Sequence, residues 1–305
     1  MQAILEQVVN ECKKYIAEGK VANYIPELAK ADVNQFGIYA VDYDQKEYFA
    51  GDYDVPFTMQ SVIKPVILLT ALSDVGIERV RELVGVEATG KPFDAFNYSD
   101  QALKGEHINP MINTGAIALC TLIKGETYRE KFDRLLRLTK KLTGNTALKI
   151  DESVYLSEKA TGNKNRALAY MLKAYGLIDG NVDEIVDCYF RACSVQATCK
   201  DLAKMAFVLA NYGVDPATGE RIVSARHARY ANAILSICGT YDGSGEFALN
   251  VGIPAKSGVS GGIMAIAPKR MGLGVFSPAL DKKGNSMAGK KALELLSERL
   301  DLSVF

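Results

Sequence analysis

Residues 57–68 read FTMQSVIKPVIL: a serine, a lysine three positions on, and then the opening of an apolar helix. Positions i and i+3 share a helix face, so Ser61 and Lys64 fall within reach of each other. Such a pair gives a serine a base; on an ordinary surface helix the same spacing leaves a solvated lysine. Of the fifteen serines in the chain, Ser61 alone has a lysine at +3. Pro65 fits a first helical turn, and having no amide hydrogen it is expected to leave the Ser61 carbonyl vacant.

The rest of the chain bounds the reading. With 305 residues and 48% apolar content it holds one large domain or two lobes around an ample core. Lys plus Arg and Asp plus Glu number 36 each, so no net field draws the molecule to nucleic acid or anionic lipid, and a small-molecule partner is expected. No apolar run approaches the ~20 residues of a membrane helix, and the N-terminus is an amphipathic charged stretch, so a cytoplasmic protein is expected. Six scattered cysteines (Cys12, Cys120, Cys188, Cys193, Cys199 and Cys238) lack zinc-site spacing and read as buried thiols. With only His107 and His227 present, neither a histidine-rich metal site nor an HExxH motif is available. No metal or other cofactor is expected, and acid–base chemistry falls to Lys, Tyr, Glu or Asp.

Apolar residues from Ala3 to Ile16 recur at helical spacing. FGIYAVD (36–42) and EYFAGD (47–52) read as a hairpin. From Ser61 to about residue 212 helical patterns dominate. NVGIPAKSG, GIMAIAP and GLGVFSP then read as strands, and KKALELLSERL as a closing helix. The expected fold class is α/β: an antiparallel sheet flanked by helices, built from residues 1–60 and 213–305, with a mainly helical lobe at 61–212 inserted. Ser61 falls at the join, where clefts commonly bind ligands.

Three further motifs invite chemistry. GVEATGKP (85–92) nearly spells a phosphate-binding loop, but Pro92 stands where a magnesium-binding hydroxyl is needed and the preceding pattern is helical. Tyr230-Ala231-Asn232 copies the Tyr-x-Asn of some serine acyl-transferases, yet reads as a helix surface between arginines. PAKSGVSGG (254–262) puts Lys256 and a glycine on an edge strand, where a cation faces a pocket and substrate approaches the backbone. Ser61-x-x-Lys64 followed by Lys256-Ser257-Gly258 supplies, in order, the two end motifs of the penicilloyl-serine transferase and β-lactamase fold.

The chain also resembles the serine-dependent glutaminases over nearly its whole length. The segments that carry the likeness are VANYIPELA (21–29), VPFTMQSVIKP (55–65), NPMINTGAI (109–117), YLSEKATGNKNRALAY (155–170), DCYFRACSVQATC (187–199), CGTYDGSGEFALNVGIPAKSGVSGGI (238–263) and GVFSPALDKKGNS (274–286). This resemblance implies a β-lactamase/transpeptidase-like fold and hydrolysis of L-glutamine to L-glutamate and ammonia. It marks Ser61 as nucleophile and Lys64 as base. It also assigns Tyr24, Gln60, Asn113, Glu158, Asn165, Tyr189, Tyr241 and Val259 to the substrate pocket. Thr114 and Ser260 stand where many members have alanine.

Amide hydrolysis through an acyl-enzyme splits one high barrier into two lower ones. Lys64 serves as base only when neutral, and bringing a lysine from ~10.4 down towards neutrality costs about 4 kcal/mol. Burial, repulsion from Lys256 and the positive end of the helix dipole are the expected sources. The backbone amides of Ser61 and Val259 are assigned to the oxyanion. Tyr241 is assigned to the proton shuttle, with Tyr189 the alternative and cations lowering the phenol. Glu158 is expected to meet the α-ammonium, or else to be a plain capping or surface glutamate. A β-lactamase or peptidase, and a non-catalytic amino-acid sensor, are the competing readings. A homodimer or homotetramer is expected from the size class alone.

Overall fold

A computed structural model of the chain describes residues 1–90, 95 and 108–305. Its helices are α1 (Gln2–Cys12), α2 (Lys64–Leu83), α3 (Asn113–Leu122), α4 (Tyr128–Thr143), α5 (Glu152–Thr161), α6 (Asn163–Ala174), α7 (Val182–Cys193), α8 (Cys199–Ala210), α9 (Ala225–Cys238), α10 (Ser244–Asn250) and α11 (Met287–Leu300). The strands are β1 (Gly37–Asp42), β2 (Glu47–Gly51), β3 (Phe57–Thr58), β4 (Gln196–Ala197), β5 (Ala255–Ser257), β6 (Gly262–Ala267) and β7 (Met271–Phe276).

Both chain ends build one sheet in the order β2-β1-β7-β6-β5, antiparallel at every pairing. The anticipated hairpin is β1 and β2, and Lys256 lies on the edge strand β5, as read from sequence. NVGIPAKSG is strand only over Ala255–Ser257. Helices α3, α5 and α10 were not separated by the sequence pattern.

The period-2 alternation of strands assigns the two faces. Ile38, Ala40, Ile263, Ala265, Leu273 and Val275 join α1 and α11 in one apolar cluster. Tyr39, Val41, Met264, Ile266 and Phe276 join the helices of the middle of the chain in the other. Helix α8 lies flat on that second face because β7 is glycine at alternate positions. A Cβ on Gly272 would stand 2.2 Å from the Ala203 carbonyl oxygen, and one on Gly274 2.0 Å from that of Cys199. The helix starts there because Thr198 and Asp201 form a reciprocal capping box.

Helix α2 runs through the centre and breaks at Gly76, whose φ of 83° is left-handed. The segment Gln60–Leu83 is long and apolar enough to cross a membrane, contrary to the sequence expectation, but 83% of its apolar window is buried inside this fold. It is the core helix of the larger apolar cluster. All six cysteines are free and buried.

Candidate active site

Ser61 does not sit in the α-helix itself. Gln60–Ile63 form one 3-10 turn, and α2 begins at Lys64. In a 3-10 turn residues i and i+3 eclipse, which aligns Ser61 with Lys64 more closely than α-helical spacing would. The Lys64 N–H donates to the Ser61 carbonyl, so that carbonyl is occupied and the expectation drawn from Pro65 is corrected. Pairing of β3 with β4 and a 2.8 Å bond from Met59 N–H to the Val195 carbonyl fix the entry to the turn. Gln60, immediately before the serine, is held at φ 47°, a conformation that persists only where the surroundings impose it.

Lys64 is fully buried. Its Nζ donates to Asn113 Oδ1 at 2.7 Å and to the Met111 carbonyl at 3.1 Å. The same Asn113 oxygen accepts from Tyr189 Oη at 3.2 Å, and Asn113 Nδ2 donates to Asn165 Oδ1 at 2.9 Å. Asn113, assigned from sequence to the substrate pocket alone, is thus also the partner of the lysine. The Met111 carbonyl was missed, since a backbone acceptor leaves no mark in side-chain types.

Lys256 reaches the site from β5. Wholly buried, it donates to the Gly239 and Ser257 carbonyls at 2.9 and 2.7 Å and lies 4.3 Å over the Tyr241 ring. Burial, and then the charge of Lys64, pull its ammonium well below the ordinary lysine range. Tyr241 donates to the Ser257 carbonyl at 3.0 Å and shares a hydrogen bond with Ser61. Its φ of 61° is a second left-handed non-glycine conformation at the site. Burial pushes its phenol up and outweighs the bond from Ser61, the reverse of the cation-lowered phenol anticipated. Gly258 presses β5 onto the serine turn: a Cβ there would meet the Met59 carbonyl oxygen at 2.6 Å and Val62 Cγ2 at 3.1 Å. Buried Val259 follows directly.

Glu158 faces inward from α5, a helix started by the Asp151 side chain accepting from Val154 N–H. It is 5% exposed, so the surface or capping alternative is excluded. Burial raises its carboxyl to about 8 against a hydrogen bond from Gln60 and the charge of Lys64. Its Oε2 lacks a hydrogen-bond partner among the described residues. Tyr189 is buried and its phenol pushed up, first by burial and then by Cys193 and Glu158. Tyr24 is half exposed yet felt by Tyr189, which places it at the rim. The thiol of Cys193 touches this constellation, bonded to Tyr189 and within the field of Glu158 and Lys64; sequence gave it no more than a buried thiol. Thr114 and Ser260 are buried with unpartnered hydroxyls among the described residues.

The rejected motifs stay outside. Asn232 is buried and donates to the Leu209 carbonyl at 3.1 Å, so Tyr230-Ala231-Asn232 packs α9 against α8 and is not the helix surface expected. Lys91, Pro92 and His107 lie outside the described residues. Among the described residues no group of three or more His, Cys, Asp or Glu is placed to hold a metal ion.

An antiparallel sheet with helices on both faces, a buried serine and lysine at the head of the central helix and a second buried lysine on the sheet edge define a β-lactamase-like fold. Known proteins narrow this. The sequence model of the family described as Glutaminase matches residues 19–305. The glutaminase of Clostridium tetani is 52% identical over 305 residues, and glutaminase 2 of Clostridium perfringens 49%, each covering all of both chains. The structure of a covalent complex between a Bacillus subtilis glutaminase and 5-oxo-L-norleucine, formed by reaction with 6-diazo-5-oxo-L-norleucine, superposes with a TM-score of 0.91 at 35% identity, covering 100% of this chain and 99% of that one. The structure of Mglu in its glutamate form gives a TM-score of 0.94 at 39% identity, covering 99% of this chain and 69% of that one. The chain belongs to the glutaminase family, and its activity is that of an amidohydrolase.

Proposed function

We propose that this glutaminase cleaves L-glutamine through a seryl acyl-enzyme, with Ser61 as nucleophile and Lys64 as its base. The observation that carries the reading is the hydrogen bonding of Lys64. A neutral amine has two N–H donors and one lone pair. The bonds to Asn113 and Met111 give those donors acceptors and hold the buried Nζ at the head of the serine turn, on the face that the i,i+3 spacing gives to Ser61. Lys64 is completely buried, and its charge is felt by the buried Lys256. The covalent adduct of the Bacillus subtilis relative supports a covalent route.

Ser61 attacks the side-chain carboxamide carbon, and the tetrahedral oxyanion settles against the backbone amides of Ser61 and Val259, donors worth roughly 3 to 4 kcal/mol each. Close packing at Gly258 supports that pairing. Tyr241, protonated at neutral pH and bonded to Ser61, passes a proton to the departing ammonia, with Lys256 orienting its ring. Water then hydrolyses the glutamyl ester, its proton passing to the Tyr241 phenolate while Lys64 returns to Ser61 the proton it took. On the recognition side, ionised Glu158 takes the α-ammonium, while Gln60, Asn113, Asn165, Tyr24 and Tyr189 bond the carboxylate and amide. The site lies at the join of the proposed lobes, 1–60 with 213–305 and 61–212. We further propose a cytoplasmic homodimer or homotetramer, which light scattering on the eluting protein tests.

The decisive experiment is ammonia release from L-glutamine by wild type and Ser61→Ala, with intact-mass analysis after exposure to 6-diazo-5-oxo-L-norleucine. Loss of turnover and of a single adduct on the Ser61 peptide is expected. An adduct of equal yield on Ser61→Ala would move the nucleophile elsewhere.

A further inference from the structure

Helices α5 and α7 each carry one buried residue of the proposed substrate site, Glu158 on the first and Tyr189 on the second. What joins them is a cluster of four side chains outside the proposed chemistry. Asp187 accepts from Tyr155 Oη and from Lys159 Nζ at 2.6 Å on one oxygen, and from Arg191 Nε at 2.8 Å on the other. Lys159 Nζ and Arg191 Nη2 also donate to Tyr155 Oη, at 3.1 and 2.9 Å. The Arg191 guanidinium lies 4.4 Å over the Tyr155 ring. Three donors around one carboxylate outweigh its partial burial and hold Asp187 below the usual aspartate range.

The positions matter more than the number of bonds. Tyr155 lies one helical turn before Glu158 and Lys159 directly follows it, while Asp187 and Arg191 bracket Tyr189 two residues to either side. Tyr155 is itself 4% exposed, so its ring is wedged between the helices and its hydroxyl reaches Asp187 at the seam. An isolated ion pair on a half-exposed surface contributes little. Here the charge-assisted bonds converge on one carboxylate and tie both helices at the level of the pocket. Glu158 takes a hydrogen bond from Gln60, but its Oε2 is unpartnered among the described residues, so the Asp187 cluster is the stronger tie on its helix. The placement of Glu158 follows from where α5 sits against α7.

We propose that Asp187 is a positioning residue for substrate recognition: through Tyr155 and Lys159 it sets the separation of Glu158 from Tyr189, and so the fit of the α-ammonium of the substrate. This rests on the reading of Glu158 as the ammonium partner.

A kinetic cycle over Asp187→Asn, Glu158→Gln and the double variant separates the two ideas. Asp187→Asn keeps the side-chain shape and is expected to raise KM for L-glutamine about tenfold with kcat within about threefold. In a Glu158→Gln background the same change is expected to add no more than about twofold to KM, because its effect travels through Glu158. An unchanged KM in folded Asp187→Asn, or a full tenfold effect in both backgrounds, overturns the proposal. Glu158→Gln leaving KM unaltered overturns the reading of Glu158 itself. Should Asp187→Asn fail to fold, Tyr155→Phe removes one hydroxyl and keeps both cations on Asp187. A rise in KM of about threefold is then expected, and no change overturns the clamp.

Discussion

At the scale of single residues, the site is built from groups held away from their solution preferences. Glu158 is raised to about 8 from an ordinary 4.5 by burial, while an ionised partner is what an ammonium needs. KM for L-glutamine is therefore expected to fall as pH rises through about 8, and Glu158→Gln to raise KM at least about tenfold and flatten that dependence, since a buried charge would lose its counterpart. Steady-state kinetics from pH 6 to 9 measures both. The same shift acts on stability. Between 4.5 and about 8 the folded protein keeps a proton that the unfolded chain has released. This contribution is complete below 4.5 and lost as pH rises through about 8, with a slope of at most ~1.4 kcal/mol per pH unit. Lys256, depressed by burial, works in the opposite direction. The difference in urea stability between wild type and Glu158→Gln isolates the glutamate. Little of this was visible in residue types: Glu158 and Cys193 look unremarkable in LSEKATG and FRACS, and only burial gives them their character.

At the scale of elements, the chemistry depends on how closely β5 and the serine turn approach. Because a Cβ at 258 would meet the Met59 carbonyl oxygen at 2.6 Å, Gly258→Ala is expected to push Val259 off the proposed oxyanion position. A fall in kcat of about 100-fold or more should follow, the scale of losing one preorganised donor. Pre-steady-state acylation by a chromogenic ester of the γ-carboxylate reads that step directly; an unaltered acylation rate would show that Val259 is not the donor. The sequence placed Lys256 correctly on an edge strand, because Gly and Pro punctuate that region unmistakably. It misjudged the length of β5 and the form of the serine turn. Both are decided by contacts with β6, β4 and Val195 that lie far away along the chain.

At the scale of the whole molecule, two large apolar clusters on opposite faces of one sheet share the load, while Tyr241 and Val259 of the site belong to a third, smaller cluster with Ile25, Leu28, Val154 and Leu280. Leu293, fully buried in α11, belongs to the cluster behind the sheet. Leu293→Ala should cost about 2 to 5 kcal/mol of stability by loss of transfer energy and cavity formation, yet leave KM for L-glutamine unchanged in the folded protein. Urea unfolding alongside kinetics checks it, and a matching rise in KM would mean that the rear cluster reaches the pocket.

The sequence by itself determined the parts and their order: strands at both chain ends, helices between them, Ser61 with Lys64 at the join, Lys256 beside a glycine on an edge strand, and a family likeness spread along the chain. These follow from local rules, the period of apolar residues and the punctuation of glycine and proline, which operate within a few residues. Tertiary structure alone decided the 3-10 geometry of the serine turn, the strained Gln60 and Tyr241, the Met111 carbonyl and Asn113 as partners of Lys64, and the bolt of Asp187 between two helices. Each depends on burial and on partners tens of residues distant, and proton affinity and hydrogen-bond geometry are properties of that environment, not of the residue type.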